Sequence, residues 1–277
     1  MTNHADWQTA VGRNWASAYQ RTDRSFAGLT DRLLTRISEF DGSTVLDIGC
    51  GAGELSLAIA RARPRASVIG VDISYDLITA AQERAGERTQ LRFELADAAQ
   101  WQEPGLTPDL LVSRHGVMFF DDPIAAFARL HAQASETATL VFSCFRHPRE
   151  NPWASGVAEL LDQMPGDPDA PGPFAFADPQ RVEAILGKAD WGRIDFEPVD
   201  FAWIAGKGED PVADAMDYLS QIGPAAPTLR ALEGTAREEA EARLRDWLVK
   251  HRSGDVVAFA AAAWIVTAHA DRRSRTR

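Results

Sequence analysis

One run of ten residues, Val45-Leu46-Asp47-Ile48-Gly49-Cys50-Gly51-Ala52-Gly53-Glu54, constrains the fold of this chain more than any other stretch. It reads as a buried strand, a turn with glycine at alternate positions, and the start of a helix. Glycine in such a turn permits positive φ and removes the Cβ that would hold a ligand away from the backbone. The helix that follows aims its free N–H groups and positive dipole end at the same place, which suits a ligand with anionic or strongly accepting groups. The spacing is G-x-G-x-G. The dinucleotide pattern G-x-G-x-x-G would need glycine where Glu54 stands, and a carboxylate there is a poor neighbour for a pyrophosphate.

The rest of the chain continues the rhythm that this turn begins. Trp7–Phe40 is predicted helical, with Trp15, Tyr19, Phe26, Leu29, Leu33 and Ile37 at three- and four-residue spacing. Strands are expected at Thr44–Ile48, Ser67–Asp72, Leu91–Leu95, Leu110–Ser113 and Thr139–Cys144, with helices between them. Pro64 stops the first of these helices, Ser74 caps the second, and Asp122-Pro123 opens the last in the favoured cap-then-proline order. Such alternation implies an α/β fold, doubly wound about a mostly parallel sheet. From Phe145 to Phe176 the chain is dense in proline and glycine, and a covering loop is expected. The pattern resumes at Asp178-Pro179 and in a strand at Arg193–Ala205. A second excursion carries helices at Asp210–Ile222 and Thr235–His251 with a proline-rich break between, and Val256–His269 is a last strand.

The expected organisation is one domain over residues 1–277. Residues 1–41 form an N-terminal helical cap, 42–145 and 177–205 the core, 146–176 a lid-like insertion, 206–254 a helical insertion and 255–270 the last core strand, for seven strands in all. With 277 residues, 45% of them apolar, a core of this size is supportable. The formal charge of −11 argues against nucleic acid and against anionic membrane surfaces as partners. The only dense basic cluster, Arg272, Arg273, Arg275 and Arg277, reads as a frayed end. Cys50 and Cys144 both lie in or beside apolar runs, so reduced, buried thiols and a cytoplasmic location are expected. The opening Met1–Asp6 lacks the basic-then-apolar pattern of an export signal, and no apolar run reaches membrane-spanning length. No metal site is expected, and a homodimer is compatible with the sequence.

In an open parallel sheet, ligands sit at the carboxyl ends of the strands. Asp72 ends the second strand nineteen residues after Gly53, where an acidic group accepts hydrogen bonds from ribose hydroxyls. The plainer alternative is a helix-capping aspartate. Asp97 ends the third strand, where it can accept from an exocyclic adenine amine while the Ala98 backbone meets the ring; an aspartate after a strand is also a common turn former. The glycines alone leave NAD, FAD and S-adenosylmethionine open, and Glu54 tilts the balance to the last.

Taken together, Val45–Gly53, Asp72, Asp97 and Asp109-Leu110-Leu111-Val112-Ser113-Arg114-His115 resemble a class I S-adenosylmethionine-dependent methyltransferase of Rossmann-like fold. The chain is most similar to the small-molecule group that includes the ubiquinone/menaquinone-biosynthesis type. The resemblance covers about residues 40 to 145. It implies S-adenosyl-L-methionine as cofactor, with Asp47 and Gly49 meeting the methionine moiety, Gly51 approaching the adenosine, Asp72 holding the ribose, and Asp97 and Ala98 the adenine. Cys50, Gly53, Ile73 and Ser113 complete the implied cofactor contacts.

The methyl acceptor must be read from the residues alone. Methyl transfer from a sulfonium needs alignment and exclusion of water, and a general base only when the acceptor arrives protonated. His115, at the end of the fourth strand, is the candidate base or acceptor contact; packing among Met118, Phe119 and Phe120 is the alternative. Arg146 and His147 are candidates for orienting an acceptor. Trp7, Trp15, Tyr19, Trp153, Phe174 and Phe176 are candidates for an apolar pocket wall or, equally, for simple core. The expected function is therefore methyl transfer to a small, partly apolar organic acceptor. The alternatives are a non-catalytic S-adenosylmethionine-binding protein and, at greater distance, an NAD-dependent oxidoreductase.

Overall fold

The computed structural model describes residues 7–164 and 166–270. Met1–Asp6 and the arginines of the C-terminal tail lie outside the described residues. Five strands, β1 (Thr44–Ile48), β2 (Ser67–Asp72), β3 (Leu91–Leu95), β4 (Leu110–Arg114) and β5 (Thr139–Phe145), pair in parallel, and the long β6 (Gly192–Lys207) and β8 (Val256–His269) join them antiparallel. The order across the sheet is β3-β2-β1-β4-β5-β8-β6, and a two-residue β7 (Arg252–Ser253) pairs with β8 as an eighth strand. The seven expected strands are therefore all present, and the eighth is one arm of the tight turn into β8. Central strands read as apolar runs because both faces are covered: Val45, Leu46, Val68, Ile69, Leu110, Leu111, Leu140 and Val141 are buried.

Register aligns the strand ends. Ile48 pairs with Val71 and Asp72 with Leu95, so the carboxyl ends of β1, β2 and β3 form one edge. The chain order reverses between β1 and β4, and that switch point opens a crevice on the same edge.

Helices α1 (Ala10–Ser17) and α2 (Tyr19–Ser38) occupy the stretch predicted as one helix. The break is at Ala18 (φ −107°, ψ 15°). It has a packing cause: α1 lies on α4 (Tyr75–Ala85), where a side chain at Gly12 would strike Ser74, whereas α2 runs along β6. One straight rod cannot follow both. Helix α3 (Glu54–Ala62) leaves the glycine turn. Helices α5 (Pro123–Gln133), α7 (Pro179–Lys188) and α8 (Pro211–Gln221) each begin Asp-Pro, and Asp122, Asp178 and Asp210 accept the expected backbone N–H bonds.

The two excursions hold more helix than their prolines predict. Within the first, α6 (Pro152–Leu160) is docked by Asn151, which donates to the Ala262 carbonyl (3.1 Å) and accepts from the Ala262 N–H (3.0 Å). Proline opens α6 at its first turn, where no N–H bond is lost. In the second, α9 (Ala225–Ala231) fills the expected break, and α10 (Gly234–Lys250) follows. No helix among the described residues is long and apolar enough to cross a membrane.

Candidate active site

The glycine turn is shaped by three left-handed residues, Gly49 (φ 65°), Gly51 (φ 54°) and Gly53 (φ 81°). They do different work. A Cβ on Gly49 would lie 2.9 Å from Gly116 Cα, and one on Gly53 2.6 Å from Phe93 Cζ, so these two allow the backbone to pack. A Cβ on Gly51 would meet nothing within 4 Å, because Gly51 faces a cavity. That cavity has a volume of about 1770 Å³ and runs from the turn, across the strand ends, to the underside of α1, α2 and both insertions.

Asp47, Gly49, Cys50, Gly51, Asp72, Ile73, Asp97, Ala98 and His115 all reach the cavity wall. Gly53 and Ser113 do not. Ser113 is buried, its hydroxyl donating to the Ile48 carbonyl (2.7 Å) and accepting from the Gly116 N–H (3.1 Å), so it staples β4 to β1 behind the wall.

Asp47 is 1% exposed; its Oδ2 accepts from the Ser56 hydroxyl at 2.5 Å, and its Oδ1 has no partner. Burial raises its carboxyl to about 6. A buried carboxylate beside the cavity favours a cationic group of a ligand through its charge. Asp72 is held on both sides: the Gly51 N–H donates to Oδ2 and the Ser74 N–H to Oδ1, each at 2.9 Å. Burial raises this carboxyl too, against the backbone donors that lower it. Asp97 is half-buried and accepts from the Ala99 N–H (2.9 Å) and Gln100 Nε2 (3.1 Å). Each aspartate oxygen so engaged keeps a further lone pair for a ligand hydroxyl or amine. Burial pushes the Cys50 and Cys144 thiols up, so both are protonated, unreactive groups.

His115 adopts φ 63°, uncommon for a side-chain-bearing residue. Its Nδ1 lies 3.1 Å from the Ser143 carbonyl oxygen, which only accepts, and 3.3 Å from the Ser143 hydroxyl, which can donate or accept. Nε2 is buried and has no partner. Burial, reinforced by the Arg114 charge, lowers the imidazole to about 3, so the ring is neutral at ordinary pH. The ring stacks on Phe145 at 4.1 Å.

Several residues with no role legible in the sequence are part of the site. Arg114 bonds to Glu54 and to the Thr30 hydroxyl (2.8 Å), lies over Phe26, and sits 3.7 Å from Asp23. Arg84 donates to Asp23 (2.7 Å) and to the Ala52 carbonyl of the glycine turn (2.7 Å). Burial raises the Glu54 carboxyl to about 7 against the Arg114 charge, with Asp23 adding to the rise. These are single charges on α2, α3, α4 and β4, and no spacing in the sequence links them.

Of the candidate pocket aromatics, Trp7, Trp15, Tyr19, Trp153 and Phe174 line the cavity, joined by Phe26, Phe145, Trp203 and Tyr218. Phe176 instead packs in the core against Phe127 and Phe142. Of the two candidate orienting groups, His147 reaches the wall, whereas Arg146 pairs with Asp200 and Glu150 and lies over Trp264.

Comparison with known proteins places this geometry in context. Residues 18–191 match the family described as "Methyltransferase domain". The chain is 31% identical over 234 residues to a trans-aconitate 2-methyltransferase of Variovorax paradoxus, covering 76% of this chain and 83% of that protein. Among solved structures it is similar to the YcgJ protein of Bacillus subtilis (TM-score 0.56, 16% identity, 86% of this chain and 97% of that one). It is also similar to Haemonchus contortus phosphoethanolamine N-methyltransferase 2 in complex with S-adenosyl-L-methionine (TM-score 0.54, 14% identity, 93% of this chain and 59% of that one). At these identities the two structures speak for the fold.

Proposed function

This chain belongs to the methyltransferase-domain family, and from that premise we propose that it methylates a small, partly apolar organic acceptor held beneath α1, α2 and the two insertions. It is an S-adenosylmethionine-dependent methyltransferase. The proposal concerns the acceptor, the residues that serve it, and the roles of individual cofactor contacts. The trans-aconitate named for the Variovorax relative favours an acceptor of low mass, and kinship with the ubiquinone/menaquinone-biosynthesis type is part of the same proposal. The net charge of −11 and the inertness of both cysteine thiols favour a cytoplasmic enzyme without nucleic-acid partners.

One observation carries the reading. The cavity exceeds the ~300–1,000 Å³ typical of a single small-molecule site, and its two ends differ in chemistry: glycine backbone and carboxylates at one, aromatic rings at the other. When bound, S-adenosylmethionine supplies a methyl group activated by positively charged sulfur. The residues would share the remaining work as follows. Gly51 leaves room for close backbone approach, Asp72 accepts from ribose, and Asp97 with Ala98 receives adenine. Asp47 would lie beside the cationic end. Helices α1 and α2 and the described residues of the first insertion would cover the strand ends and exclude water, which strengthens each of these interactions.

The test is calorimetric titration with S-adenosylmethionine followed by transfer of labelled methyl to a panel of low-mass phenols, amines and carboxylic acids. Saturable binding and transfer to at least one partly apolar member is the expected result. Binding with no transfer to any member would remove the acceptor proposal.

A further inference from the structure

We propose that Arg84 is a positioning residue for the cofactor turn: it pins the Ala52 carbonyl, and Asp23 on α2 presents it there. This rests on the reading that the glycine turn holds S-adenosylmethionine, and it adds that the N-terminal cap sets the shape of that turn.

A turn with glycine at three alternate positions has little stiffness of its own, because glycine is the residue least restricted in φ and ψ. Bonds from outside must fix its peptide planes. The plane between Cys50 and Gly51 is held by Asp72, whose Oδ2 accepts from the Gly51 N–H (2.9 Å). The plane between Ala52 and Gly53 is held at both edges. The Gly53 N–H donates to the Cys50 carbonyl (2.9 Å), and the Ala52 carbonyl accepts from Arg84 (2.7 Å). Gly51 (φ 54°) and Gly53 (φ 81°) flank Ala52, so the arginine acts where backbone rotation is cheapest. A guanidinium bond to a carbonyl is charge-assisted and stronger than one between neutral groups.

Helix periodicity brings Arg84 to this carbonyl. On α4, Ala81 faces the turn, for a Cβ on Gly53 would lie 3.1 Å from Ala81 Cβ. Arg84 follows three residues later and shares that face. Ala52, Tyr19 and Asp23 reach the cavity wall, whereas Arg84 works from behind it.

The guanidinium is itself held by the cap. Asp23 Oδ2 accepts from it at 2.7 Å, and its carbon lies 4.6 Å from the centre of the Tyr19 ring. Both partners belong to α2. An arginine without them would lose its full rotamer freedom on reaching Ala52. Asp23 Oδ1 stands 3.7 Å from Arg114, which bonds to Glu54 at the start of α3. One carboxylate of the cap therefore faces two guanidiniums, one joined to the turn and one to the helix that leaves it. By linkage, what the cap contributes to the turn, a ligand in the turn returns to the cap.

The test uses S-adenosylhomocysteine as the probe and needs no turnover. By calorimetry, Arg84→Met should bind it about tenfold more weakly, the scale of one lost bond to a charged group. Arg84→Lys, with one amine in place of the fork, should fall between Arg84→Met and the natural protein. Asp23→Asn combined with Arg84→Met should bind no more weakly than Arg84→Met alone, because Asp23 acts through the arginine. Hydrogen exchange supplies the second readout. Saturating S-adenosylhomocysteine should slow exchange over residues 19–38 in the natural protein, and this protection should be lost in Arg84→Met at equal saturation. Affinity in Arg84→Met within twofold of the natural protein, even with stability reduced, overturns the inference by leaving Arg84 a merely structural residue. Losses that add in the double variant, or protection of 19–38 that survives Arg84→Met, overturn the part given to Asp23. Exchange over 19–38 that ignores the probe in the natural protein does the same without requiring any variant to fold. Failure of the natural protein to bind S-adenosylhomocysteine would instead strike the reading of the turn as a cofactor site.

Discussion

At the cofactor end of the cavity, the polar groups come from short segments that the sheet register brings side by side; at the acceptor end, rings arrive from six separate elements. The carboxylate oxygens of Asp72 and Asp97 already hold backbone N–H groups, whereas His115 Nε2 and Trp203 Nε1 hold nothing. The first end is built before any ligand arrives. The second is a wall of rings, and its preferences follow from their shape and apolar surface. Asp47 is the exception at the first end, with one buried oxygen unpaired. On the proposed reading, backbone geometry would secure the cofactor, and acceptor choice would rest on side chains which can change without disturbing it.

The strongest way to break this contrast is to attack the backbone. Gly49→Val would put a β-branched residue at φ 65° and its Cβ 2.9 Å from Gly116 Cα. Stability should fall by about 4 kcal/mol, in the range reserved for backbone strain combined with a core clash. Gly51→Ala, at φ 54° with open space around its Cβ, should cost only about 1 kcal/mol of stability while weakening cofactor binding. Denaturant midpoints and calorimetry on the two variants check this. Equal losses of stability would mean that Gly51 serves packing, as Gly49 does.

Next in size is Asp47. Its carboxyl is about 6 in the folded protein against an ordinary 3.8, so folding binds the proton more tightly than the unfolded chain does. The cost of burying the charge is absent below pH 3.8, grows as pH rises through 6, and is complete above it. Asp47→Asn should therefore be more stable than the natural protein at pH 8, by up to about 3 kcal/mol, and no more stable near pH 4. Its affinity for S-adenosylmethionine should fall in exchange. Denaturation at the two pH values with calorimetry at pH 8 decides it. A stability gain without any loss of affinity would show that the unpaired oxygen serves no ligand.

How much of the molecule is legible in its sequence follows the same division. The glycine turn, Asp47, Asp72 and Asp97 are readable because each depends on a few consecutive residues at a strand end, where local geometry dictates residue type. The Asp-Pro helix starts are readable for the same reason. The break at Ala18 is not, because it arises from α1 seeking α4 while α2 seeks β6. Nor is α6, whose docking depends on a single asparagine bonded to a strand over a hundred positions away. Phe145, Trp203 and Tyr218 look like any strand or helix core residue until β5, β6 and α8 meet. Ser113 and Gly53 stand at the right positions but shape the wall from behind instead of facing the cavity.

Asp72→Ala sharpens the contrast at intermediate size. Removing an anchored carboxylate should weaken S-adenosylmethionine by about 1–3 kcal/mol, and the loss of its bond to Gly51 N–H should loosen the turn as well. Asp97→Ala, half-exposed at its strand end, should cost about 1 kcal/mol or less. Unchanged affinity in Asp72→Ala would refute the ribose assignment.

The smallest expected effect asks which end of the cavity the N-terminal helices serve. Asp23 on α2 accepts from Arg84, which also donates to the Ala52 carbonyl inside the glycine turn, and Arg114 stands 3.7 Å away, bonded to Glu54. The cap is thus latched to the cofactor turn, although its rings face the acceptor. With Asp23 about one-fifth exposed, the pair with Arg84 is partly screened, and Asp23→Asn should cost about 1 kcal/mol of stability. Removing its negative charge also relieves Glu54, whose raised carboxyl should move down. If the latch orders the turn, S-adenosylmethionine should bind about threefold more weakly in Asp23→Asn, and the difference should shrink in ~0.5 M salt, where partly exposed pairs are screened. Weaker acceptor binding with cofactor affinity unchanged would assign the cap to the acceptor wall alone. Loss of both in proportion would mean that the two ends share one moving part, and that the cap closes over cofactor and acceptor together.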